Sequence, residues 1–117
     1  MRNWAQAVLA LTMTIMTANL HAADLDMAAC AFPDAPELPD GNTAAEEEMA
    51  GASAAVRAYV GDTQSGLDCL SEAEESLGEE ISDEQKAELV TTYNARVDEM
   101  TALVEGFNEQ IRAYKAR

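Results

Sequence analysis

The fold is decided by residues 71–90, SEAEESLGEEISDEQKAELV, where one predicted helix ends and a second one begins. Gly78 is the expected stop, because glycine adopts the left-handed conformation that closes a helix without steric cost. Ser82 then opens a new start signal: its hydroxyl can accept from the Gln85 amide while the Gln85 side chain returns to the Ser82 amide. This stretch therefore predicts two helices that are joined by a short turn.

Apolar and small residues on both sides of this turn recur in alternating steps of three and four, which is the spacing of one helix face. Before the turn the stripe consists of Ala45, Met49, Ala52, Val56, Tyr59, Thr63, Gly66, Leu70, Ala73 and Leu77. After the turn it consists of Val90, Tyr93, Val97, Met100, Val104, Phe107, Ile111 and Tyr114. The stripes predict helices over about 43–77 and 83–115, and Thr43 with Glu46 predicts a capping box at the start of the first helix.

The two stripes also match each other when the chain is folded back at Gly78, which places residues whose numbers sum to 156 opposite one another. Met49 then faces Phe107, and Arg57 lies beside Glu99 as a flanking ion pair of modest worth. The sequence therefore predicts an all-α fold in which residues 42–117 form an antiparallel, coiled-coil-like two-helix hairpin.

Residues 23–41 precede the hairpin and contain all the prolines of the chain, namely Pro33, Pro36 and Pro39. Proline fixes φ and disfavours helix in the residue before it, so this segment should be extended and close to polyproline II. From Cys30 to Thr43 such a chain spans about 40 Å, while the helix from Thr43 to Cys69 spans about 39 Å. The Pro-rich segment can therefore pack along the first helix and bring Cys30 to Cys69.

Residues 1–22 have the pattern of an export signal. Arg2 supplies the positive end, an apolar stretch runs from Trp4 to about Ala18, and Ala22 offers a small residue before the cut. The apolar stretch is shorter than the roughly 18 residues of a membrane span, and a retained membrane anchor is the alternative interpretation. Export would place both cysteines in an oxidising compartment, where a disulfide between Cys30 and Cys69 is expected.

A second interpretation applies to Cys30. Residues 27–30, MAAC, resemble a lipoprotein cleavage box, in which the cysteine becomes a lipid anchor. Asp24 and Asp26 interrupt the apolar run that should lead into such a box, so the disulfide between Cys30 and Cys69 is the preferred prediction.

Composition limits the chemistry of the chain. The 22 acidic residues outnumber the 7 basic ones and give a net charge of −15, which repels nucleic acid and anionic lipid. Cleavage at Ala22 would remove the single histidine, His21, and with it His-dependent triads and the common zinc sites. We therefore predict no enzyme activity, no catalytic residue, no cofactor and no metal, and no association with nucleic acid or, after signal cleavage, with membrane.

The sequence also carries a resemblance. Its pattern comprises Cys30, the spaced prolines ending in Pro39-Asp40-Gly41, Glu48-Met49, Val56 with Tyr59 and Val60, Cys69-Leu70, and a tail from Tyr93-Asn94 through Phe107, Asn108 and Gln110 to Arg112, Tyr114 and Lys115. This pattern resembles a family of small exported proteobacterial proteins of unknown function. The resemblance implies a periplasmic or secreted location in a Gram-negative bacterium and implies no activity.

Two functions remain open at this point. The first is a non-catalytic protein-binding or structural module, whose partner is another protein or a second copy of the chain. A two-helix hairpin buries one seam, and the flanking residues Val60, Leu67, Leu89 and Leu103 would leave apolar surface for pairing into a four-helix bundle. The second is an acidic cation-binding or buffering protein that uses the carboxylates around the turn, although these lack EF-hand spacing.

Overall fold

The structure, a computed structural model, describes residues 29–117, which form an antiparallel helical hairpin with an extended N-terminal segment. Helix α1 spans Glu46–Leu77, a short 3₁₀ turn spans Gly78–Glu80, and helix α2 spans Asp83–Lys115. Residues 29–117 contain no strand, so the predicted all-α hairpin is confirmed. The predicted signal peptide, residues 1–22, lies outside the described residues. Neither helix combines the length and the apolar run that a bilayer crossing requires.

The turn between the helices follows the prediction. Gly78 has a φ of 50° and its N–H donates to the carbonyl oxygen of Glu74, which ends α1. The Gln85 amide donates to Ser82 Oγ at 3.1 Å, and the Ser82 amide donates to Gln85 Oε1 at 2.9 Å. The predicted capping box therefore starts α2.

The start of α1 differs from the prediction. Thr43 belongs to a turn in which its amide donates to the carbonyl oxygen of Asp40 at 3.1 Å, so Thr43 does not cap the helix. Helix α1 begins at Glu46, and Glu48 Oε2 instead accepts from the Ala45 amide at 3.0 Å. The predicted capping box of Thr43 and Glu46 is therefore wrong, because the Asp40 turn uses the residues that would have formed the first helical turn.

The register of the hairpin also shifts. The helices end at Leu77 and begin at Asp83, symmetrically about residue 80 rather than Gly78, so opposite positions sum to about 160. A shift of four residues is one helical turn and keeps the same face inward. The predicted ion pair of Arg57 with Glu99 is wrong, because Glu99 Oε2 lies 3.2 Å from Nη1 of Arg96 on its own helix.

Buried side chains follow the seam between α1 and α2, and Tyr59, Leu67, Leu70 and Leu89 are among them. One cluster of buried residues lies at the end of the hairpin far from the turn. Its buried members are Ala44, Met49, Val56 and Phe107. Around them pack the half-buried residues Leu38, Ala52, Val60, Leu103, Val104, Ile111 and Tyr114. Since Leu38 belongs to the extended segment, this core is built from three elements rather than from two helices alone.

Candidate interaction surface

One face of the hairpin is covered by the extended segment, residues 30–41. Its first anchor is the cysteine pair: the sulfur atoms of Cys30 and Cys69 lie at disulfide distance, 1.97 Å apart. This is the predicted pairing.

The second anchor is aromatic. Phe32 packs over Gly66 of α1 so closely that a Cβ atom at position 66 would lie 2.6 Å from its Cε1 atom. The guanidinium of Arg96 on α2 stands 4.7 Å from the centre of the same ring, a cation–π contact. Phe32 therefore bridges the two helices.

The third anchor lies at the end of the segment. The Gly41 amide donates to Gln110 Oε1 at 2.8 Å. A side chain at Gly41 would overlap the carbonyl oxygen of Gln110, so only glycine permits this approach to the α2 backbone. Between these anchors Leu38 packs beside Gly106, where an added Cβ atom would lie 3.1 Å from Leu38 Cδ1.

Arg117 joins the C-terminal end of the chain to the turn before α1. Its Nη1 donates to the carbonyl oxygen of Ala44 at 2.7 Å and to that of Gly41 at 3.3 Å. Its guanidinium also lies 4.6 Å from the centre of the Tyr114 ring. No local signal in the sequence predicts these hydrogen bonds, because their partners lie 73 and 76 residues apart.

The face opposite the extended segment is open. A shallow depression of about 270 Å³ between the helices is lined by Ser71, Glu74, Leu89, Val90, Tyr93 and Asn94. A second, of about 460 Å³, is lined by Gln64, Leu67, Asp68, Tyr93, Val97 and Met100. Tyr93 borders both depressions, and we call the two together the open groove.

Helix geometry places the open groove on the far side from the segment. On α1, Gln64 and Asp68 each lie two residues from Gly66, which is about 200° around a helix of 3.6 residues per turn. On α2, Asn94 has the same relation to Arg96. The segment therefore packs on one side of the seam and leaves the other side uncovered.

Large apolar side chains are exposed in this groove. Val90 is 48% exposed and Tyr93 is 36% exposed. The apolar stripes predict both side chains inside the seam and Leu67 and Leu89 on the surface. The structure shows the reverse, since Leu67 and Leu89 are buried, and Val60 and Leu103 pack half-buried against the core.

Negative charge surrounds the turn end of the open groove. Residues 71–90 contain 8 acidic residues and a single basic one, Lys86. Asp68 and Glu74 line the groove itself. Within residues 29–117 the structure shows one ion pair, Arg96 with Glu99, so no ion pair neutralises the carboxylates of residues 71–90.

The described residues offer little that points to another type of site. No three or more His, Cys, Asp or Glu side chains among residues 29–117 converge as metal ligands would. The hydroxyl of Thr63, which is 1% exposed, has no hydrogen-bond partner, but it lies within the packed seam.

No protein-family model matches the chain, and neither curated proteins nor solved structures give a significant match.

Proposed function

We propose that this protein is a non-catalytic helical hairpin that works by binding another protein after export to the periplasm or the medium. The observation that carries the proposal is the open groove, in which Val90 and Tyr93 expose apolar surface between two helices. Exposed aliphatic and aromatic side chains that line a concave surface are typical of protein-binding sites.

The cysteine pair supports the proposed location. A bond between Cys30 and Cys69 persists in an oxidising compartment and is rare in the cytosol. It fits with the N-terminal pattern of residues 1–22, which the sequence assigns to an export signal. Membership of the small exported proteobacterial family is part of the same proposal.

The lack of catalysis is inferred from composition. Without residues 1–22 the chain has no histidine, and a cysteine pair in a disulfide supplies no thiolate nucleophile. The alternative function, binding or buffering of cations, is favoured by the acidic turn, yet its carboxylates do not converge in the described part of the chain. Protein binding is therefore the function that we advance.

The proposal is tested by crosslinking in the periplasm of the native host. The full chain with a C-terminal affinity tag is treated with a membrane-permeable crosslinker, purified under denaturing conditions and analysed by mass spectrometry. We expect a specific partner that is absent when an unrelated tagged periplasmic protein is treated in the same way. Recovery of the uncrosslinked chain alone would contradict the proposed function.

A further inference from the structure

We propose that the open groove binds a basic, amphipathic polypeptide segment of another protein, with its apolar side chains on either side of Tyr93 and its Lys or Arg side chains facing the acidic turn. This inference rests on the proposed protein-binding function and specifies the site and the chemistry of the partner.

The shape of the groove defines the apolar part of the ligand. Its two depressions, of about 270 and 460 Å³, lie on either side of one tyrosine along a seam between antiparallel helices. An amphipathic helix that lies in such a seam inserts side chains from one face, spaced three or four residues apart. Tyrosine is a common centre of such contacts, because its ring buries a large area at a low cost in side-chain entropy.

The charge of the groove defines the polar part. Asp68 and Glu74 stand in its lining, and residues 71–90, which include Glu74, contain 8 acidic residues and one basic residue. Lys or Arg residues that flank the apolar side chains of a ligand would meet this field, which accelerates association and selects the partner. An acidic or neutral segment would gain no such attraction.

The same charges argue against a second copy of this chain as the occupant. The part of the hairpin far from the turn, residues 29–63 and 100–117, also carries an excess of acidic residues, 9 against 4. A second copy would therefore present net negative charge to the groove in either orientation, and like-charge contacts oppose association. Anionic lipid and nucleic acid are disfavoured for the same reason.

Site-specific photocrosslinking tests the location. The exposed residue Asn94, in the groove lining, is replaced by p-benzoylphenylalanine in the full chain, and the exposed residue Ala102, outside the groove, serves as the matched control position. After irradiation in the native host, we expect the probe at position 94 to form an adduct with a segment of another protein in which Lys and Arg outnumber Asp and Glu. The probe at position 102 should not form this adduct.

Substitutions test the energetics with the partner that the adduct identifies. Tyr93→Ser should weaken binding roughly 30-fold, since a central aromatic contact contributes about 2 kcal/mol. Glu74→Gln should lower the association rate, and raising the salt concentration should abolish the difference between Glu74→Gln and the unmodified chain. Ala102→Ser should bind as the unmodified chain does, and circular dichroism should show equal helicity for all the variants.

Several outcomes would overturn the inference: an adduct from position 94 with a second copy of the chain, with lipid, or with an acidic or neutral segment, or no adduct at all. If the general crosslinking experiment still finds a partner, only the assignment of the groove fails. If no partner is found by either method, the protein-binding function itself fails.

Discussion

The two sides of this hairpin are built from the same two helices, but only one of them is covered. Both are edges of one seam between α1 and α2, but residues 30–41 fill one edge while the other stays open as the groove. The difference follows from the residues on each edge. Gly66 and Gly106 have no side chain and let Phe32 and Leu38 approach the helices, whereas the groove carries Val90 and Tyr93. The absence of side chains at Gly66 and Gly106 therefore allows the extended segment to cover this edge.

Releasing the covered edge at its cysteine bridge should destabilise the molecule more than any other single change. Cys69→Ala should lower the free energy of unfolding by about 3 to 4 kcal/mol, since the bond closes a loop of 39 residues. In a domain of this size that corresponds to a melting temperature lower by roughly 10 °C or more. Thermal unfolding followed by circular dichroism measures the change.

Reduction provides the control for the bridge. A reducing agent should lower the melting temperature of the unmodified chain by a similar amount and should leave that of Cys69→Ala unchanged. Hydrogen exchange should rise in residues 31–39 and stay constant around Val90. Equal stability of the oxidised and reduced chains would contradict the expected role of the bond.

The second test adds one methyl group under the segment. Gly66→Ala should cost about 1 to 2 kcal/mol, because the new Cβ atom meets the Phe32 ring and the carbonyl oxygen of Ala31 at 2.6 and 2.8 Å. Gly61→Ala is the matched control on the same helix: nothing lies within 4 Å of its Cβ atom, so it should stabilise by about 0.5 to 1 kcal/mol. Urea unfolding of both variants gives the difference, and equal effects would show that the segment does not rest on Gly66.

The third test makes the same substitution, valine to threonine, in the core and in the open groove. Val56→Thr places a hydroxyl in the core, where the side chain is 7% exposed, and should cost about 1 to 2 kcal/mol. Val90→Thr makes the same change in the open groove, at 48% exposure, and should change stability by less than about 0.5 kcal/mol. Urea unfolding measures the stability of both variants. A large loss of stability for Val90→Thr would mean that the groove is closed in solution.

A substitution at Thr63 should change stability least, and it should raise stability instead of lowering it. Thr63 is buried in the seam between the covered and the open edge, and its hydroxyl has no hydrogen-bond partner. Thr63→Val keeps the shape and removes the unsatisfied group, so it should stabilise by about 1 kcal/mol or slightly less. A loss of stability in urea unfolding would show that the hydroxyl is bonded, for example to a bound water.

The parts of this fold that could be predicted have local signals. The capping box of Ser82 and Gln85, the stop at Gly78 and the two apolar stripes depend on neighbours within a few residues, and the reach of the Pro-rich segment follows from chain geometry. The start of α1 was misplaced because Asp40 and Glu48, rather than Thr43 and Glu46, satisfy the free amides there.

The remaining features depend on tertiary structure. The register shifted by one turn because the connection takes five residues, 78–82, a length that periodicity alone does not determine. The contacts of Gly41 with Gln110 and of Arg117 with Ala44 join residues about 70 apart. The exposure of Val90 could not be foreseen either, because its place in the apolar stripe gives no sign of which edge the segment covers.

The cysteine bridge also gives the chain a topology with a mechanical consequence. Residues 30–69 form a covalent ring that holds the extended segment and most of α1, while α2 lies outside the ring. If the chain is pulled between residues 30 and 117, the ring hides 39 residues from the force, roughly 130 Å of contour length at about 3.4 Å per residue. Under tension α2 should peel away first, and the ring should yield its length only after the sulfur bond is reduced.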